Sequence, residues 1–497
     1  MMRDNIVNRR VLLGLFAGLA VAPASAGAAP ATGKSATGEA PLAQRLADYV
    51  FSASLADLDA ATVERAKVHL LDSLGCGIAA FEEPTVRAVR ELALANGGNA
   101  ATIIGTGRQA SLEWAAFANG AGIRADDIND FYVGRQNAHP SDNIACCLAA
   151  AQAANASGAE FLLAMLLAYE IECRFLDAGA LDDHGWDHPN YALISGALAA
   201  GRLMKLSPPQ LAEAVNLALS GHVAMDQTRL GTLSNWKGLA GPEAARNAIF
   251  AVQLARAGIT GPSPIFEGAA GFFKQVSGPL KIDTKTFGGR GRRFRIHDCF
   301  IKSYPAQAQT QTAIPAAAKV AGAVGDLSRI RSIEVKSTHM GWLMAGSTPE
   351  RWAPRTSETA DHSLPYIVAR AMLDRTITPA SYSPGALRDP KAAALLRLIT
   401  VHEDSALTAM APRQPNSVTA TLDDGRVITE RVDDLPGFSG RPMQREDAEA
   451  KFQRNAKSIL KAGQIERISE SVWSLDRAAS VSDLIKSMII TTSQPSP

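Results

Sequence analysis

Apolar residues fall on one helical face at Leu42, Leu46 and Val50. They do so again at Val63, Ala66, Leu70 and Leu74, behind an Asp59-Ala-Ala-Thr62 start, so two amphipathic helices are predicted. Ala-rich stretches of helix length follow at 143–156, 160–176, 191–205, 209–220 and 242–257, and alanine is the strongest helix former. The texture changes beyond about residue 290. Arg329-Ile-Arg-Ser-Ile-Glu-Val-Lys-Ser337 alternates with period two, and Asp423-Asp424-Gly425 separates two β-branched runs, 417–421 and 426–431, a hairpin signal. Helices are expected at 307–322 and 360–374, and a charged helical pattern returns from Glu446 to Lys461. The expectation is a mainly α protein with a large all-helical domain built from both chain ends, 41–297 and 442–497, and a smaller inserted α/β lid domain at 298–441. No internal repeat is evident, and the final dozen residues are expected to fray.

The first residues break this pattern. Arg3, Arg9 and Arg10 precede an apolar run from Val11 to Ala22, and the small residues Ala24-Ser25-Ala26 follow. This layout resembles a twin-arginine signal peptide at 1–26, cleaved after Ala26, with a disordered leader at 27–40. A periplasmic or secreted location is the expectation. The apolar run is shorter than the ~20 residues that a membrane span needs, so no span is expected in the mature chain.

At 497 residues the chain exceeds the size of one core, so at least two domains are expected. Fifty basic and forty-nine acidic residues leave a net charge of +1, which provides no overall field for nucleic acid or anionic lipid. Any attraction for anions must be local. Five cysteines, at 76, 146, 147, 173 and 299, include no CxxC spacing and give neither a zinc signature nor a disulfide framework.

Candidate chemistry gathers in four places. Arg124-Ala-Asp-Asp127-Ile-Asn129-Asp-Phe-Tyr is followed by Asn137-Ala-His139-Pro-Ser-Asp-Asn143. Pro140 keeps His139 out of helical conformation, and Ser141 or Asp142 can cap the next helix, which puts His139 at a positive helix end suited to a carboxylate. An ordinary capped helix beside a surface loop reads equally from the spacing. Asp182-Asp-His-Gly-Trp-Asp-His188-Pro-Asn190 sets a second histidine before a proline; it imitates a metal site but lacks the i, i+4 histidine spacing, and no metal is assigned. Lys237 and Lys302 are single lysines in weakly charged surroundings. Arg351-Trp-Ala-Pro-Arg355-Thr-Ser-Glu-Thr-Ala-Asp-His362-Ser-Leu-Pro-Tyr366 concentrates ionisable groups before a helix.

Together these segments resemble the MmgE/PrpD family over nearly the whole mature chain. The similarity includes Leu71-Asp-Ser-Leu-Gly-Cys76, Asp127-Ile-Asn-Asp130 with His139-Pro-Ser-Asp142, and the Trp352 to Tyr366 stretch, which is like the 2-methylcitrate dehydratase branch. The resemblance implies a homodimer with a cofactor-free active site between a helical domain and a lid. It places Asp127, His139, His188, Lys237, Lys302 and Tyr366 in the cleft as catalytic residues, with Asn129, Arg355, His362 and Gln307 beside the substrate. Two positions depart from the family pattern: Phe131 stands where a Thr is usual, and Gln307 where related decarboxylases have His.

The implied function is a lyase acting on a small polycarboxylic acid, most simply the dehydration of 2-methylcitrate or a related 2-hydroxy acid. Decarboxylation, epimerisation and non-catalytic carboxylate binding are alternatives in the same cleft. Removing a C–H proton beside a carboxylate needs a base, for which His139 and His188 are the candidates, and fixed cations, supplied by Lys237 and Lys302. Asp127 is expected to hold a histidine tautomer, and Tyr366 to protonate the leaving group or position the substrate.

Overall fold

The computed structural model describes residues 39–490. The proposed signal peptide, nearly all of the leader and residues 491–497 lie outside the described residues. The protein is mainly helical. The first half folds as the helices Leu42–Ser52, Ala60–Ala79, Pro84–Ala95, Leu112–Arg124, Asp142–Ala153, Gly158–Ala178, Pro189–Leu203, Pro208–Gly221 and Trp236–Arg256. Local signals start several of them. Asp59 accepts a hydrogen bond from the Thr62 amide, Ser157 and Glu160 form a capping box, and prolines open the helices at 84, 189 and 208.

Small residues let these helices approach closely. Gly122 of one helix lies against the backbone of Gly77 in another, and Gly120 lies against Pro242. Most of the Gly158–Ala178 helix is buried around its whole circumference, as expected of a helix at the centre of a large bundle.

Two large apolar cores form. The first draws on residues from Leu42 to Ile301 and again from Met443 to Met488. The chain end therefore rejoins the beginning: a Cβ on Gly75 would stand 2.9 Å from the Phe452 ring. The second core runs from Ala306 to Leu422. It is built on a four-stranded sheet with Ile330–Ser337 between Ile399–Glu403, which is parallel to it, and Asn416–Leu422, which is antiparallel. Val427–Val432 completes the sheet through the expected hairpin, pairing Val427 with Thr421. Gly425 takes φ +83° at that turn, which a side chain would oppose. Alternate residues of Asn416–Leu422 are buried.

Two predicted helices are shorter than the pattern suggested. The one expected from 307 begins at Ala313, because Gln307 caps a short 3-10 turn, accepting from the Gln309 amide, and Asn416 binds Gln309 O and Thr312 Oγ1 at 2.8 Å each. The one expected from 360 is broken at Ser363, whose hydroxyl caps Leu364–Asp374.

A small sheet joins the two halves. Asp130–Val133 pairs with Asn137–Ala138 on one side and with Phe300–Ile301 on the other, Asp130 facing Ile301. That register delivers Lys302 to the Asp127–Asp130 loop. Lys451, from the returning helix Arg445–Ala456, supports the same loop from below. Its ammonium donates to Ile128 O at 2.7 Å and pairs with Asp72 at 2.5 Å.

Candidate active site

The Leu112–Arg124 helix ends on a buried arginine that ties the next twenty residues together. Arg124 donates from Nη1 to Asp127 Oδ1 at 3.2 Å and to Asn129 Oδ1 at 2.8 Å, while its Nε stands 3.2 Å from Asp142 Oδ1. Asn129 in turn donates to Ser141 Oγ at 2.8 Å. Ser141 and Asp142 therefore do not cap the following helix with their side chains, as the sequence pattern suggested, because both are committed to the loop. Asp127 itself sits at φ 49°, a strained conformation for a side-chain-bearing residue.

Asp130 is the hub beneath His139. Its carboxylate accepts from Tyr169 at 2.7 Å, from His69 Nδ1 at 3.0 Å and from the Ser141 amide at 3.1 Å. Burial pushes this carboxyl up, but the His69, Ser141 and Tyr169 contacts outweigh it and hold Asp130 below its ordinary value. Its backbone oxygen lies 2.6 Å from His139 Nδ1. A carbonyl only accepts, so Nδ1 carries the proton and Nε2 is left with its lone pair. Burial, with Arg124 and Lys302 nearby, holds His139 well below the ordinary value of 6.5. Its imidazole is therefore neutral at neutral pH.

His188 stands beside it, ring centroids 5.7 Å apart. Burial draws it down to about 3 against the opposing pull of Asp187. Asp187 is held by Arg229 Nε at 3.0 and 2.9 Å and by the His188 amide at 2.8 Å. Lys302 donates to Asp127 O at 2.9 Å and pairs with its carboxylate at 2.9 Å. Burial outweighs that pairing and lowers Lys302 to about 8. Lys237 bridges two acids, 2.8 and 3.0 Å from Asp361 and 3.6 Å from Asp127. Burial raises Asp127, but Lys237, Lys302 and Arg124 prevail and hold it well below the carboxylate range. Asp127 thus anchors cations; the tautomer that the sequence reading gave it to hold is fixed at His139 by the Asp130 carbonyl.

These groups face one cavity of about 430 Å³ between the two cores. Asp127, His139, His188, Lys237, Lys302, Gln307 and His362 all line it. Three other predicted residues do not. Asn129 is buried behind Arg124. Tyr366 lies in the second core with its hydroxyl donating to Ser381 O at 2.8 Å. Arg355 is exposed, whereas Arg351 lines the cavity. Phe131 stacks on Phe300 and meets Phe438 edge-on, and Phe131 lines one wall of the cavity. Gln307 is bonded to Gln309.

Sequence reasoning missed Arg124, the Asp187–Arg229 pair, Asp361 and Arg351 as parts of this site. The available signal was their position inside the quoted motifs. Arg229 had none, since its partner is 42 residues away. Asp127, Asp361 and His362 offer atoms within 4.8 Å of one another, a spacing a metal could use, but the Lys237 ammonium already bridges the two carboxylates.

The family model of the MmgE/PrpD N-terminal domain matches residues 44–285 and that of the C-terminal domain matches 304–477. A 2-methylcitrate dehydratase of Cupriavidus necator is 29% identical over 74% of this chain and 80% of its own length. A 2-methylcitrate dehydratase of Escherichia coli is 28% identical over 87% and 93%, and a cis-aconitate decarboxylase of Mus musculus is 25% identical over 83% and 86%. The two matched domains span most of the sequence and meet at the cleft just described: this chain belongs to the MmgE/PrpD family.

Proposed function

We propose that this protein is a lyase acting on a small polycarboxylic acid by side-chain chemistry alone, with dehydration of 2-methylcitrate or a related 2-hydroxy acid as its reaction. The observation that carries the reading is His139, a neutral imidazole whose protonated nitrogen is fixed by Asp130 O and whose free Nε2 belongs to a cavity walled by Lys237 and Lys302. In this scheme Nε2 takes the C–H proton beside a substrate carboxylate. The electron pair forms the new C=C bond as the C–O bond breaks. Lys237 and Lys302 stabilise the charge that develops on the carboxylate. Lys302, lowered to about 8, has a proton to give at neutral pH, and the hydroxide departs with it as water. His188, near 3, is neutral and serves as a hydrogen-bond partner. Tyr366 would have to exchange Ser381 for substrate before taking any part.

The segment 298–441 acts as a lid in this reading, and the working unit is a homodimer, which sedimentation velocity tests. Export is proposed on the paired arginines alone, and N-terminal sequencing of protein from cell fractions tests it. Among the described residues no helix is long and apolar enough to cross a membrane. The cis-aconitate decarboxylase relatives support a second reading, decarboxylation in the same cleft.

Incubation with 2-methylcitrate, citrate and cis-aconitate, followed by NMR of the products, separates the readings. A new enoate that vanishes in His139→Ala supports dehydration, loss of carbon dioxide supports decarboxylation, and saturable binding with no product sinks both.

A further inference from the structure

We propose that Cys173 and Cys299 form a disulfide site, joined when the chain folds in an oxidising medium, and that the bond tethers the helix Gly158–Ala178 to the segment that delivers Lys302. The inference depends neither on the reaction nor on the export proposed above.

The two sulfurs lie 3.8 Å apart although 126 positions of chain separate them, so nothing in the sequence announces the pair. Both residues are free thiols in the structure. Roughly 1.8 Å remains to be closed to reach a disulfide bond, which is within reach of rotation about the two Cα–Cβ bonds. The backbones on either side are fixed: Cys173 belongs to the most buried stretch of its helix, and Arg65 donates from Nη2 to Cys299 O at 2.7 Å. Among the described residues no other cysteines remote in sequence touch through their sulfurs. Cys146 and Cys147 are neighbours on one helix, where adjacent side chains diverge. In the finished fold Cys173 is 0% and Cys299 2% exposed, so the exchange with an oxidant belongs to the folding chain, before packing closes over the pair.

The oxidant is a low-molecular-weight disulfide such as oxidised glutathione. The thiolate of one cysteine attacks it, and the second thiolate then displaces the mixed disulfide. Two S–H bonds are lost and one S–S bond forms, while the two electrons and two protons leave on two molecules of reduced glutathione. A bond that closes so long a loop restricts the unfolded chain strongly, which is where a disulfide gains most of its stabilisation in the chain-entropy account. It also joins two supports of the cavity. Tyr169, one helical turn before Cys173, donates to Asp130 at 2.7 Å, and Cys299 leads into the strand Phe300–Ile301, which pairs with Asp130 and Phe131 and is followed by Lys302.

Full chain produced in bacteria with an oxidising cytoplasm, and in bacteria with a reducing one, tests this. Each product is trapped in denaturant with N-ethylmaleimide and mapped by mass spectrometry without reduction. The expected product of the oxidising host carries a Cys173–Cys299 peptide pair and three alkylated cysteines, five less the bonded two. It should melt roughly 5–10 °C above the product of the reducing host. Cys173→Ala and Cys299→Ala should each melt at the same temperature from either host. Where a variant fails to fold, the mapped and melted wild type from the two hosts carries the comparison. Five alkylated cysteines from the oxidising host, a bond that joins other cysteines, or equal melting of the bonded and reduced wild type would overturn the proposal.

Discussion

The Nδ1 atom of His139 lies 2.6 Å from the backbone oxygen of Asp130, and this one contact decides which nitrogen can act as a base. Because the acceptor is main chain, no side-chain replacement removes it directly. The carboxylate of the same residue, clamped by His69, Tyr169 and the Ser141 amide, holds that main chain in place.

The pH dependence of kcat/KM follows from two groups. His139 is held well below 6.5 by burial, Arg124 and Lys302, and a base is active above its own pKa, so activity persists into mild acid and the acid limb lies below 6.5. Lys302, lowered to about 8 by burial, loses its proton as the pH rises past that value. The alkaline limb is therefore expected near 8, and Lys302→Arg, whose guanidinium stays charged but cannot give up its proton, should lower kcat strongly at every pH. An acid limb at 6.5 or above would rule out His139 as the neutral base.

Gly241→Ala should impair the site without touching a cavity residue. Its new Cβ would overlap the Asp142 carboxylate, which must then leave Arg124 and loosen the Asp127 loop. Overpacking of this kind costs about 1–3 kcal/mol, measurable by denaturant titration. Turnover should fall together with stability, and unaltered kinetics would contradict the coupling.

Lys451 and Asp72 form a fully buried pair. Removing one partner strands the other, so Lys451→Met and Asp72→Leu should each cost roughly 3–5 kcal/mol, while the double replacement recovers much of the loss. A double-mutant cycle by urea unfolding checks this. Additive losses would show the two groups to be independent.

All five cysteines are buried. Burial raises the Cys76, Cys173 and Cys299 thiols, and the neighbouring Cys146 thiol, followed by burial, raises that of Cys147. A thiol reagent should therefore find no fast-reacting cysteine in the native protein and five after denaturation of reduced protein. A fast native thiol would mean that a helix opens locally.

What could be read from the sequence was what local chemistry fixes. The Asp-Gly hairpin at 423–425, the alternating strand before Ser337 and the Asp59 cap all formed because the deciding residues are neighbours. The candidate residues that face the cavity were accessible for another reason: they sit in long motifs that resemble a family. The errors arose where a distant partner outbid a local one. Ser141 and Asp142 have the composition of a helix cap, but Asn129 and Arg124 engage them instead. Arg355 and Arg351 are indistinguishable as letters four apart, and only the fold turns one outward and the other into the cleft.

The bond from Lys451 to Ile128 spans 323 residues of chain, which gives the protein an order of completion. A nascent polypeptide can assemble its early helices long before residue 451 emerges from the ribosome, but the loop that carries Asp127 gains its support only afterwards. A chain that ends before residue 451 lacks that support, and the loop of the candidate site is among the last parts of the molecule to be finished.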